Sequence, residues 1–283
     1  MIFDRDLLKD KVILITGGGT GLGFEMAQAF GSLGAKLALV GRRQEVLDHA
    51  RAVLGEGDIP VWTRPLDIRD AAKVDTAVDD IFSHYGRLDV LVNNAAGNFI
   101  SPTERLSPRA VDAVVNIVLH GTFYCTLAAG KRWIDRGHPG TVLNITTTYA
   151  WTGSGYVVPS AVAKAGVLAL TRSLAVEWAP HHIRQVAIAP GPFPTEGAWS
   201  RLMPTEELVA EASQRVPWGR VGRPEELTTL AAYLISDAAD YINGEVITID
   251  GGEWLKGAGM FNALERLSPD DWDKIRAMMP KKS

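Results

Sequence analysis

A short apolar run, Val12–Thr16, leads straight into Gly17-Gly18-Gly19-Thr20-Gly21-Leu22-Gly23, and residues 21–33 then take up helical spacing. A strand that passes through glycines into a helix bares backbone N–H groups at the helix N-terminus, where the peptide dipoles favour negative charge. That order of strand, glycine turn and helix is what separates a pyrophosphate cradle from a plain tight turn. The rest of the chain repeats the alternation. Apolar runs of strand length at 36–40, 61–63, 90–93, 141–146, 185–189 and 246–249 alternate with helical spacing at 71–85, 108–136, 162–178 and 224–235. These runs are apolar throughout rather than at every second position, as strands covered on both faces are. The spacing predicts a single α/β domain: a doubly wound, Rossmann-type parallel sheet with helices on both faces and its sites at the carboxyl ends of the strands.

Composition narrows the function. A chain of 283 residues buries enough core to need no disulfide or metal, and its one cysteine, Cys125, forms no internal disulfide. The net charge of −4 and the lack of a Lys/Arg stripe argue against a nucleic-acid partner. No apolar run has the length of a membrane span, the N-terminus carries early acids rather than a leader, and Lys281-Lys282-Ser283 falls short of a peroxisomal address, so a cytoplasmic location is expected. The histidines lack metal-ligand spacing, and no metal is expected. Within the domain, residues 8–252 read as the core, the polar stretch 195–220 as a mobile substrate lid, and 253–283 as a C-terminal extension with an amphipathic piece at 270–276.

The Gly-x-x-x-Gly-x-Gly turn is similar to that of the short-chain dehydrogenase/reductase family, and Asp67, Asn93-Asn94-Ala95-Ala96-Gly97, Pro190-Gly191-Pro192 and Asp250-Gly251-Gly252 extend the resemblance over nearly the whole chain. The resemblance implies a dinucleotide held by Thr16, Gly17, Gly19, Thr20, Gly21, Leu22 and Gly23, with Asp67 at the adenine and Asn94, Ala95, Gly97, Pro190, Gly191, Pro192 and Phe193 along the cofactor. The second strand ends in Arg42-Arg43, with no carboxylate before Glu45. A carboxylate there would accept from a ribose 2′-hydroxyl, whereas a cation pairs with a 2′-phosphate. NADPH is therefore the expected cofactor, against the plainer reading of two solvated arginines.

The family's catalytic tyrosine, four residues before Lys164, is replaced by Ser160. An alkyl hydroxyl is far too weak an acid to take over its task. The usual serine position holds Thr147, and the usual helical asparagine position holds Val118, with Asn116 nearby on a different side of that helix. The combination resembles the NADPH-dependent 2,4-dienoyl-CoA reductases of the mitochondrial type. It is carried by residues 97–107, by Thr152-Gly153-Ser154-Gly155, by Val157-Val158-Pro159-Ser160-Ala161 and by Asn243-Gly244, and it runs into the tail at Phe261-Asn262 and Trp272-Asp273. It implies Tyr149, Asn98, Ser160 and Lys164 as the catalytic group, Lys164 also holding the nicotinamide ribose. It implies Arg69, Phe99, Ser107 and Arg201 along an acyl-CoA substrate, and a homotetramer.

The chemistry accounts for the substitution. A carbonyl reductase protonates an alkoxide on the reacting oxygen, whereas a dienoyl thioester spreads charge along its conjugated chain onto the thioester oxygen. Two fixed donors, a phenol and a carboxamide, suit that oxygen. Other readings stand beside this one. Tyr149 and Asn98 can be loop residues packed on the cofactor, Arg69 and Arg201 can be surface ion-pair partners, and Tyr156 fits no catalytic spacing and is expected to line a pocket. A carbonyl or alcohol oxidoreductase using Tyr149, and a non-catalytic sensor of the cofactor ratio, are the alternative functions.

Overall fold

The computed structural model describes residues 4–195 and 205–278. Seven strands form one sheet in the order β3-β2-β1-β4-β5-β6-β7, with every neighbouring pair parallel. They are β1 Val12–Thr16, β2 Lys36–Gly41, β3 Val61–Pro65, β4 Val90–Asn93, β5 Gly140–Ile145, β6 Ile183–Pro190 and β7 Val246–Ile249. After β3 the chain crosses back to lay β4 on the other side of β1. That reversal opens a crevice above the carboxyl ends of β1 and β4, where a doubly wound sheet binds ligands.

The uninterrupted apolar runs have a direct explanation. On β1, Ile13 and Ile15 enter one buried cluster while Val12 and Leu14 enter the other, so both faces of the strand are core. The first cluster is covered by α1 (Gly21–Ser32) and by the Pro224–Ile235 helix through Met26, Phe30, Leu227 and Leu234. The second is covered by α3 (Ala71–Tyr85), by the Gly121–Arg136 helix and by the Val158–Glu177 helix through Ile81, Cys125, Trp133, Leu170 and Leu174.

Three helical features depart from the sequence-based expectation, the third at the start of the Val158–Glu177 helix. The helix α2 (Gln44–Gly55) was not expected. It buries only Leu47, Ala50 and Leu54 among charged residues, a stripe too thin to stand out. The helix expected over 108–136 is three pieces: α4 (Pro108–Val115), a π-helical turn at Asn116–His120, and α5 (Gly121–Arg136). The widened turn rotates the face of α5 relative to α4, and Asn116 Oδ1 lies 2.9 Å from His120 Nδ1 across it. Residues 108–136 are together long and apolar enough to cross a membrane, but half of that span is buried inside the fold. There Arg132 reaches Asp75 at 2.5 Å and Asp79 at 2.7 Å on α3, as a core helix does.

The remaining helices are α6 (Tyr149–Thr152), α7 (Val158–Glu177), α8 (Glu206–Arg215), α9 (Pro224–Ile235), α10 (Glu253–Ala258) and α11 (Pro269–Met278). α7 starts four residues before its expected beginning at 162, with Pro159 in its first turn, where a missing N–H costs nothing. A buried polar chain sets α7 against the sheet. Asn93 Nδ2 donates to Thr126 Oγ1 and to Asn144 Oδ1, each at 2.9 Å, and Asn144 Nδ2 donates to Thr171 Oγ1 at 2.9 Å. An unpaired amide at that depth is costly, so the chain fixes one register between β4, β5, α5 and α7.

Candidate active site

The turn after β1 is held by backbone and by two side chains. Thr16, 1 % exposed, accepts from the N–H groups of Asn94 and Ala95 at 3.0 Å each, and its hydroxyl donates to the Val92 carbonyl. Asn94 Nδ2 donates back to the Thr16 carbonyl at 3.0 Å. Gly17 adopts φ +67°, a conformation L side chains rarely take, while its N–H donates to the Val40 carbonyl at 2.8 Å. At Gly23 a Cβ would collide with the Gly17 carbonyl and the Asn94 carboxamide. A Cβ at Gly19 would stand 2.8 Å from the Val46 side chain. The turn is thus pressed between α1 and α2, and Leu22 anchors α1 on the core. Thr20 at the N-cap makes no side-chain cap bond and no acid occupies the first turn of α1, which leaves the N-terminal N–H groups for an anion. These residues fit a dinucleotide pyrophosphate.

Arg42 and Arg43 stand exposed where β2 leads into α2, with no ion pair among the described residues. Asp67 is engaged by Arg69, whose Nε and Nη2 reach its two oxygens at 2.9 and 2.5 Å. Arg69 holds that carboxyl below the usual carboxylate range, and Arg42 adds to the effect. On the far side of the crevice, the Gly191 N–H donates to the Ile249 carbonyl at 3.0 Å, and a Cβ there would lie 2.6 Å from the Asp250 Cβ. Phe193 is a core residue, 8 % exposed, that also shows a face to the cavity described below.

Tyr149 opens the short α6 just after β5, and its hydroxyl lies 3.1 Å from Ser160 Oγ. Ser160 and Lys164 sit one turn apart on one face of α7, 2 % and 8 % exposed. Lys164 Nζ donates to the Ile145 carbonyl at the end of β5. Burial pushes the Lys164 ammonium down to about 8. Asn98, partly buried in the loop after β4, accepts from the Phe99 N–H at 2.9 Å through Oδ1. With Oδ1 so occupied, the Nδ2 end is the donor left over, and it bonds no protein group among the described residues. The loops carrying these two residues are tied together where the Ser101 N–H donates to the Tyr156 carbonyl at 2.9 Å.

A cavity of about 1030 Å³ opens beside Tyr149. Thr147, Thr148 and Thr152 line it from the β5–α6 segment, Pro190 to Phe193 from the end of β6, and Glu253 to Arg266 from the C-terminal segment. The sequence reading gave that last wall no part in the site. Its signals were the immediate passage from Asp250-Gly251-Gly252 into Glu253-Trp254 and the resemblance that continues to Phe261-Asn262.

Asn98 and the expected substrate residues do not line this cavity. Arg69 is committed to Asp67, Ser107 caps α4 by accepting from the Ala110 N–H at 3.2 Å, and Phe99 packs on Val114, Val118 and Ala163. Arg201 lies outside the described residues. The expectation for Tyr156 is corrected. Its side chain is 65 % exposed and lines no described cavity, and the residue holds φ +65°, which presents its carbonyl to Ser101.

Known proteins agree with this architecture. The family described as enoyl-(acyl carrier protein) reductase matches residues 17–253. A Bacillus subtilis protein named "Probable 2,4-dienoyl-CoA reductase [(2E)-enoyl-CoA-producing]" is 45 % identical over 249 residues, covering 88 % of this chain and 98 % of its own. A Caenorhabditis elegans protein named "Probable 2,4-dienoyl-CoA reductase 3 [(3E)-enoyl-CoA-producing]" is 42 % identical over 275 residues, covering 95 % and 89 %. The crystal structure of a short chain dehydrogenase from Bacillus anthracis superposes with a TM-score of 0.79 at 43 % identity, covering 87 % of this chain and 98 % of that one. Sheet order, glycine turn and these likenesses together establish that the chain belongs to the short-chain dehydrogenase/reductase family, oxidoreductases whose fold binds NAD(P).

Proposed function

We propose that the protein reduces 2,4-dienoyl-CoA thioesters to 3-enoyl-CoA with NADPH, a step in the degradation of unsaturated fatty acids, and that it works as a homotetramer. The observation that carries the reading is the contact between Tyr149 and Ser160. That contact supports a phenol supplied from α6 beside the Ser160 and Lys164 face of α7, where the family resemblance puts its tyrosine.

Residues of the glycine turn, Asn94, Ala95, Gly97 and Lys164 would hold the dinucleotide, and Arg42 would pair with its 2′-phosphate. A bound nicotinamide supplies a hydride. With a new C–H bond at C5 of the diene, the electron pairs shift toward C1 and leave a dienolate, its charge on the thioester oxygen. The Tyr149 hydroxyl and the Asn98 Nδ2 donate to that oxygen, and each such donor is worth roughly 3–4 kcal/mol in the transition state. Lys164 adds positive potential from behind Ser160. A proton then reaches C2, from Tyr149 or from a water held by Ser160 and Lys164, and the remaining double bond lies between C3 and C4.

Protonation at C4 instead would give the 2-enoyl product, and the name of the Bacillus subtilis relative favours that second outcome. Both are settled in one assay. The purified protein is mixed with NADPH and 2,4-decadienoyl-CoA, absorbance is followed at the cofactor and diene bands, and the product double bond is located by NMR. The proposal predicts equimolar loss of cofactor and diene with a 3-enoyl product. No turnover beside brisk reduction of a simple ketone rejects it. Light scattering tests the tetramer.

A further inference from the structure

The cavity beside Tyr149 is larger than the reacting group requires. A four-carbon diene, its thioester carbonyl and a nicotinamide ring against Pro190 to Phe193 take up only part of a space of about 1030 Å³. Its outer wall is the segment from Glu253 to Arg266, which belongs to no strand of the sheet.

This wall is held in place. The Trp254 ring meets Trp151 edge-to-face, with centroids 5.8 Å apart and planes at 84°. The Glu253 carboxylate lies 3.4 Å from the Arg215 guanidinium at the end of α8, and Lys256 Nζ lies 2.9 Å from Glu265. Asn262 Nδ2 donates to the Leu255 and Lys256 carbonyls at 2.9 Å each. Arg215 and Lys256 are therefore matched by carboxylates. Arg266 also borders the cavity, and between these charged groups the wall offers Trp254, Ala258, Met260 and Ala263, facing Phe193 across the cavity. The apolar strip these residues make, beginning at the proposed catalytic phenol and running outward along the tail, suits a hydrocarbon chain.

We propose that the Glu253–Arg266 segment is the acyl-chain wall of the site and sets which chain lengths are accepted, its occupant being the saturated tail of the acyl-CoA beyond the diene. The inference rests on the dienoyl-CoA reading, so its test separates the two. Turnover is measured over 2,4-hexadienoyl-, octadienoyl-, decadienoyl- and dodecadienoyl-CoA, and binding over the matching saturated acyl-CoAs.

In the wild type, kcat/KM rises by about fourfold per added methylene until the strip is covered. A bulky side chain on the wall shortens the strip. In Ala263→Trp, and separately in Ala258→Trp, the ratio of kcat/KM for decadienoyl- over hexadienoyl-CoA drops by about tenfold or more. Both positions are exposed at the rim, so neither substitution disturbs the core. Ratios equal to the wild type in both variants overturn the wall. Should the wild type reduce no dienoyl-CoA of any length, the functional reading is what fails. The wall then stands or falls on whether the two variants lower the binding preference for the longer saturated acyl-CoA.

Discussion

The two ends of the crevice are built in different ways. The cradle above β1 and β4 is made of backbone: positive-φ glycines, N–H groups at a helix end, and a threonine and an asparagine bonded to main-chain atoms. The region around Tyr149 is made of side chains: the phenol on α6 meets Ser160 on α7 and borders a wide cavity, and Asn98 stands in the loop after β4. A backbone cradle tolerates almost no added atom, yet it carries little information about the substrate. A side-chain site can exchange its groups while the frame stays, and here Tyr149 on α6 meets Ser160 on α7. On the proposed reading, the family frame holds the cofactor and these side chains decide what is reduced.

Four experiments set the two regions against each other. The largest effect is expected from Tyr149→Phe. It should lower kcat on a dienoyl-CoA by about a hundredfold to a thousandfold, with the dissociation constant for NADPH unchanged by calorimetry. An equal loss of cofactor affinity would show that the phenol belongs to the cradle. Next, Arg42→Ala should weaken NADPH by about tenfold to a hundredfold, as loss of a charge-assisted bond does, and leave NADH binding as it was. Equal losses for both would remove Arg42 from phosphate recognition.

The third experiment is a pH profile. Lys164 carries its charge below about 8 and loses it as pH rises through that value. Turnover should fall accordingly, by about tenfold at one unit above the midpoint. Stability moves the other way. The buried charge costs the fold its full amount below about 8, and the cost fades as pH climbs toward the ordinary lysine value of 10.5. A rate that stays flat through this window would mean that Lys164 contributes no charge to the reaction.

The smallest effect on turnover is expected from Gly23→Ala. Its Cβ forces the Gly17 carbonyl and Asn94 apart, which should cost about 1–3 kcal/mol of stability by thermal melting and raise the KM for cofactor. An unchanged melting temperature with an unchanged KM would show that the cradle yields more than its packing suggests.

Legibility in the sequence follows the same division. The strands and the glycine turn were readable because each rests on local spacing or on segments that resemble a known family, whereas the contact of Tyr149 with Ser160 came only with the structure. The buried chain through Asn93, Asn144 and Thr171 was not readable, since polar residues inside apolar runs give no sign of which partners they will meet. The π turn at Asn116–His120 was hidden for a similar reason, because one extra residue in a helical turn leaves the spacing almost unaltered. Ser107 and Arg69 show the converse limit. Their residue types suit a CoA site, and residue type alone gave no sign of the helix cap and the neighbouring carboxylate that also engage them. The tail wall went unread because its partners, Trp151 and Arg215, are remote in the chain.

The central claim is that Tyr149 and Asn98 together hold the thioester oxygen. A crystal structure of the protein with NADP and a 2,4-dienoyl-CoA tests it directly. The account predicts the Tyr149 hydroxyl and the Asn98 Nδ2 each about 3 Å from that oxygen, with C5 of the diene over the nicotinamide. Either side chain turned away from the oxygen, or the thioester seated elsewhere, would contradict it.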